Sequence, residues 1–186
     1  HLRELDPDVV GLSIMTFQRG TAKKIIALVR ALKPDATIVV GGYDPSLATD
    51  IDAACRLTGE FTLRSGQIAD TYFDKYLFEA QPALLERVAA QMVDLLPADT
   101  ELLGGLELGG VPIATMVSAK TGLPALFVRK QAKQYGTAKL AEGPEFAGRR
   151  VTLIEDVITT GGDARDAVRE PRVKGAIVEV VVCALD

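Results

Sequence analysis

Short unbroken apolar runs, separated by stretches with helical spacing, recur along the chain. That rhythm belongs to α/β proteins whose strands are buried on both faces. Asp8 to Met15 (DVVGLSIM) reads as a parallel strand. Ala22, Ile25, Ile26, Val29 and Leu32 follow at helical spacing, and Pro34-Asp35 end that helix. Thr37 to Val40 form a second strand that runs into Gly41-Gly42. Residues 50–80 are less regular; Gly59 to Gly66 suggests a short strand and a turn. Leu84, Leu85, Val88, Met92 and Leu95 mark a helix over 82–96. Strand and helix then alternate: a strand at Leu102–Leu106, a turn at Gly109-Gly110, a helix over Val111–Thr121 and a strand at Ala125–Val128. Gln131–Ala147 is polar and aperiodic, which predicts a long loop. A strand at Val151–Ile154 leads towards Gly161-Gly162, then a helix over Asp163–Arg172 cut short by Pro171, and a last strand at Ala176–Ala184. This order predicts an α/β fold with a mostly parallel, doubly wound sheet.

Composition narrows the function classes. The chain has 186 residues, 48% of them apolar, and a net charge of −4. That suits one ordinary α/β domain, or one with a small addition, and no basic face points to nucleic acid. Cys55 and Cys183 lie far apart without a CxxC, which reads as reduced thiols in a cytoplasmic protein. No apolar run is long enough to span a bilayer, and no signal peptide is visible. The one histidine is His1, so the chemistry is expected to run without a histidine triad.

The most informative stretch is Val151 to Gly162 (VTLIEDVITTGG). A buried strand ends in two carboxylates, Glu155 and Asp156, followed by a hydroxyl-and-glycine turn and then a helix. Ligands of open α/β sheets bind outside the carboxyl ends of strands. Backbone N–H groups in a Gly-rich turn before a helix make an anion cradle. Thr159 and Thr160 add hydroxyl donors, and Gly161 and Gly162 allow close approach. Glu155 and Asp156 can accept from two neighbouring sugar hydroxyls. The combination suits a ribose 5-phosphate. No P-loop and no dinucleotide-binding fingerprint is present.

This stretch resembles the phosphoribosyl-diphosphate motif of type I phosphoribosyltransferases. Three further segments resemble the orotate-specific branch of that family, and the resemblance covers about residues 55–186. Phe127 to Thr137 (FVRKQAKQYGT) looks like a mobile catalytic loop, in which Arg129, Lys130 and Lys133 would contact the diphosphate, with Tyr135 where many members carry histidine. Phe61 to Gly66 (FTLRSG), with Tyr72 and Phe73 beyond it, is similar to the hood segment, where Arg64 and the aromatic pair would border the orotate ring. Leu106 to Pro112 (LELGGVP) looks like the diphosphate-binding loop, with glycine at position 109 where some members have lysine. The resemblance implies transfer of ribose 5-phosphate from phosphoribosyl diphosphate to orotate, in pyrimidine nucleotide biosynthesis. It implies Mg²⁺ held through the diphosphate, and a homodimer with shared loops. Lys133, Asp156 and Arg129 would be catalytic; Glu155, Asp156, Val157, Ile158, Thr159, Thr160, Gly161, Gly162, Asp163, Lys130, Tyr135, Arg64, Tyr72 and Phe73 would bind substrate. The family pattern places an orotate-clamping arginine directly after the Asp186 position, so a domain without its usual carboxyl-terminal end is expected.

Residues 1–49 differ from the family's first helix and resemble a fragment of a flavodoxin-like cobalamin-binding domain. The Asp-x-His-x-x-Gly loop of such domains is absent, so no cobalamin is expected. Two units are expected: a βαβ unit over 1–49 and a phosphoribosyltransferase domain over 50–186, joined in one continuous α/β fold in which the βαβ unit extends the sheet. An alternative reading is a non-catalytic chimera, natural or engineered, that keeps only the phosphate-binding loop.

Overall fold

The computed structural model of the chain describes residues 6–13, 19–42, 45–63, 65–129, 141–158, 168–169, 171–172 and 174–185. In chain order the elements are β1 (Val9–Ser13), α1 (Arg19–Leu32), β2 (Thr37–Gly41), α2 (Pro45–Cys55), β3 (Arg56–Thr62), β4 (Ile68–Phe73), α3 (Tyr76–Glu79), α4 (Pro82–Val93), β5 (Leu102–Leu106), α5 (Gly110–Thr121), β6 (Ala125–Val128), β7 (Ala141–Glu142), β8 (Arg150–Val157) and β9 (Ile177–Leu185). Among the described residues one sheet of seven strands runs β1-β2-β9-β8-β5-β6-β7. Its pairings are parallel except β6 with β7. β3 and β4 form a separate antiparallel hairpin.

The continuous apolar runs of the sequence have a direct cause here. Strands β2 and β5 are buried at every position, so both faces need apolar side chains. On one face Ile38, Val40, Val180, Val182, Leu103 and Ile154 pack against α1, α2, α4 and α5. On the other, Val39, Val181, Cys183, Leu102 and Leu153 pack with Ile158, Val168 and Phe146. Cys55 and Cys183 are both buried and form no disulfide.

Helix α2 is a departure from the sequence reading, which left residues 50–80 irregular. Leu47, Ile51 and Cys55 repeat every fourth residue and are almost fully buried. The stripe is only three residues wide, and Thr49, Asp50 and Asp52 dilute it.

The N-terminal strands belong to the same sheet as the rest. Ile38, Val39 and Val40 stand in register with Val180, Val181 and Val182. β2 therefore covers an edge of β9 that would otherwise present unpaired amides and carbonyls. A charge network reinforces the junction: Glu179 of β9 takes Arg30 from α1 and, at 3.0 Å, Arg150 from β8. These side chains are partly exposed, so the network adds little compared with the apolar contact.

The connectivity fixes where a ligand can bind. From β5 the chain runs outward to β6 and β7, then returns to the other side of β5 as β8. The crevice between the carboxyl ends of β5 and β8 is thus a topological switch point.

Replacing Val40 by Asp tests the single-sheet arrangement. An unpaired charge at this fully buried position should cost more than about 3 kcal/mol. Thermal unfolding followed by circular dichroism should show one transition, moved down as a whole. A surviving transition at the parent temperature would mean that the first strands fold apart from the remainder.

Candidate active site

The two segments singled out in the sequence meet at the switch point. Gly109 and Gly110, between β5 and α5, are both buried. A Cβ on Gly109 would lie 1.7 Å from Asp156 Oδ2, and one on Gly110 would lie 2.2 Å from the Ile154 carbonyl oxygen. Gly109 has φ −67°, so close approach rather than left-handed backbone demands glycine here.

Strand β8 carries its two acids into unequally buried surroundings. Glu155 is half-buried, and its Oε1 accepts the Asp156 N–H at 3.0 Å. Asp156 has 0% of its surface exposed. Its Oδ1 accepts the Val157 N–H at 2.7 Å, and its Oδ2 lies 2.5 Å from Lys75 Nζ. Lys75 precedes α3 and stands 5.5 Å from the centroid of the Tyr76 ring. Glu79, at the end of α3, brings Oε1 to 2.6 Å from where a Gly109 Cβ would sit.

Several expectations change with this geometry. Asp156 does not face the open edge as a sugar-binding acid should; it is turned inward onto Lys75. Ile158 packs its side chain in the second core cluster, and its N–H is donated to the Leu185 carbonyl at 3.1 Å. The amides of Val157 and Ile158 are therefore already used, and an amide cradle for phosphate starts no earlier than residue 159. Thr159, Thr160, Gly161, Gly162 and Asp163 lie outside the described residues, as do Arg64, Lys130, Lys133 and Tyr135. Arg129 follows β6 and stands 3.8 Å from Glu142 Oε1 on β7. Tyr72 and Phe73 are neighbours on β4, so they point to opposite faces and cannot flank one ring together. Tyr72 packs on Phe61, with centroids 5.5 Å apart. Phe73 lines a cavity of about 520 Å³ with Ile51, Asp52, Val157 and Leu185. The sequence reading missed Lys75 and Glu79. Neither sits in a motif, and their partner Asp156 is remote in the chain.

Comparison with known proteins decides the family. The profile of the B12 binding domain matches residues 1–65. An orotate phosphoribosyltransferase of Nocardioides sp. is 75% identical over 143 residues, spanning 77% of this chain and 80% of the relative. The chain belongs to the orotate phosphoribosyltransferase family. Solved structures agree in fold. The Mycobacterium tuberculosis orotate phosphoribosyltransferase in complex with Fe(III) dicitrate has a TM-score of 0.65 at 35% identity, covering 74% of this chain and 81% of that one. The same enzyme in complex with 5-phospho-α-D-ribosyl 1-diphosphate has a TM-score of 0.61 at 30% identity, covering 74% and 79%.

In this family member the switch-point crevice holds an unusual charge arrangement. Burial, aided by the Asp156 charge, pushes Glu79 up to about 8. Burial and the hydrogen bond to Asp156 push Glu155 up to about 8 as well. Asp156 moves the other way: burial opposes its charge, but hydrogen bonds from Glu155 and Lys75 outweigh it and hold the carboxyl below its ordinary value. For Lys75, burial works against the ammonium, yet the bond to Asp156 wins and raises it. Together these shifts favour one ammonium on one carboxylate, flanked by two glutamic acids that give up their protons at higher pH than ordinary carboxyls.

The sign of the pH effect follows. Each glutamic acid titrates higher in the folded state than its ordinary value of 4.5, so its penalty is absent below that value and grows as pH rises to about 8. Replacing Glu79 by Gln should remove one of the two penalties. The variant should melt about 3 °C above the parent near pH 8 and no higher near pH 5, as read by scanning calorimetry at both values. A gain of equal size at both pH values would contradict the assignment.

Proposed function

We propose that the chain transfers ribose 5-phosphate from phosphoribosyl diphosphate to orotate, giving orotidine monophosphate and diphosphate. The observation that carries this reading is the meeting of Gly109-Gly110 with the carboxyl end of β8 at the switch point, in a chain so similar to a relative of that name. Phosphoryl and ribosyl groups need anion-binding main chain beside acids that can take sugar hydroxyls, and this crevice offers both.

Glu155 is the acid of the pair that reaches solvent, and we assign it the ribose hydroxyls. The main chain from Thr159 to Asp163 is assigned the 5-phosphate. Arg129, Lys130 and Lys133, with Tyr135, are assigned the departing diphosphate, whose growing charge they would neutralise. β7 returns beside β6, so the segment carrying these cations leaves and re-enters the sheet at one place, next to Arg129. Phe73, at the wall of the cavity beside Val157 and Leu185, is assigned the orotate ring, with Arg64 beside it. Glu155 is a hard oxygen donor that fits Mg²⁺ carried in on the diphosphate, and bound metal would supply charge neutralisation of the leaving group. The residues themselves position the two substrates and exclude water; no covalent nucleophile is required.

Residues 1–49 serve in this reading as the unit that closes the sheet beside β9, and residues 50–186 carry the chemistry. The exposed Ile68 and Tyr72, on one face of the hairpin, support a homodimer through that face. Among the described residues no helix is long and apolar enough to cross a membrane. Together with the buried thiols, a cytoplasmic enzyme acting on small molecules is the reading we adopt.

The assay is the Mg²⁺-dependent disappearance of orotate on adding phosphoribosyl diphosphate. Glu155→Gln should lower kcat/KM by about 10- to 100-fold, the loss of one charged hydrogen bond. Thermal stabilisation by phosphoribosyl diphosphate with no orotate consumed would instead favour a binding scaffold that keeps only the phosphate loop.

A further inference from the structure

Lys75 and Glu79 belong to neither segment singled out in the sequence, yet Lys75 meets Asp156 and Glu79 lies beside Gly109. Asp156 is entirely buried, and a carboxylate so placed needs a positive partner. The groups facing it are Lys75 from the start of α3, Glu79 from its end and Glu155 from its own strand. Only Lys75 among these is a cation. Its side chain is 33% exposed, so it stands between the buried acid and the open crevice. The Tyr76 ring supports the ammonium from the side.

Two consequences converge on the proposed ligand site. The carboxylate that Lys75 holds fills the space over Gly109, where any side chain would collide. The same carboxylate fixes the N–H of Val157, the last residue of β8. Without the ammonium, Asp156 would face two glutamic acids. It would then take up a proton or swing away, and either change loosens its grip on Val157.

Building on the transferase reading above, we propose that Lys75 is a positioning residue for phosphoribosyl diphosphate: it locks the Asp156 carboxylate over Gly109 and, through Asp156, fixes the Val157 end of β8. The main effect falls on phosphoribosyl diphosphate, because Asp156 covers Gly109 directly and reaches the cavity lined by Phe73 only through the backbone at Val157.

Steady-state kinetics with both substrates varied test this on the full chain. Lys75→Met should raise KM for phosphoribosyl diphosphate by about tenfold or more and leave KM for orotate within about twofold. Lys75→Arg, which keeps the charge, should recover most of that loss. Gly109→Ala keeps Lys75 but displaces Asp156, and should reproduce the same one-sided rise. A second measurement needs no activity: melting temperatures of Lys75→Met, Asp156→Asn and the double variant. Their falls should not add, the double variant melting several degrees above the additive sum. Parental KM for phosphoribosyl diphosphate in Lys75→Met, an equal rise in both KM values, or additive melting falls would overturn the proposal. A parent chain that turns over no orotate would defeat the transferase reading alone, and the melting cycle would still decide on Lys75.

Discussion

A carboxylate with no exposed surface, held by one ammonium above Gly109, is the constraint around which this end of the sheet is arranged. Removing a charge from water is costly unless the geometry of its partner is good, so Asp156 can stay ionised only while Lys75 is in place. That requirement ties three elements together. α3 must deliver Lys75, β8 must end where Asp156 meets it, and the turn before α5 must carry no side chain at position 109. Burial above all, with the charge and hydrogen bond of Asp156 beside them, is why Glu79 and Glu155 hold their protons to about pH 8, and the ammonium opposes that shift.

The sheet explains why this arrangement sits where it does. A parallel sheet that reverses its winding opens a crevice between two strands at their carboxyl ends. Here the crevice lies between β5 and β8, both at the interior of the sheet. Interior strands are fixed by pairing on both sides, so groups at their ends are held more rigidly than groups on a free loop. The N-terminal strands matter to the site through the same logic. β2 pairs with β9, β9 pairs with β8, and so the strand that bears the acids is buttressed through two further strands.

Much of this was legible in the residues. Strands β5 and β6 begin and end where their apolar runs do, because nothing polar interrupts them; β5 is buried at every position, whereas β6 leaves Phe127 exposed. The glycine pair and the acid pair were visible as motifs, since close backbone approach and sugar recognition each demand particular residue types. What escaped was of two kinds. α2 has only Leu47, Ile51 and Cys55 to mark it, too narrow a stripe to stand out among its polar neighbours. The inward turn of Asp156 depends on an ammonium far away in sequence, and no local spacing encodes such a pairing. The motif identifies two acids at a strand end; only the packing of α3 divides their work.

That division changes what the acid pair can do. Two equivalent carboxylates side by side would repel, and both would resist ionisation when a diphosphate approached. Pairing one of them with Lys75 leaves a single acid, Glu155, at the crevice, and its proton is held only up to about pH 8. In the proposed reading a hydroxyl of the incoming sugar meets a group that can accept or donate, beside an acid already committed to Lys75 and the Val157 N–H. The amides of Val157 and Ile158 are committed as well, to Asp156 and to Leu185. The strand end thus acts as a fixed base, and in the proposed reading the binding of an anion falls to residues beyond it.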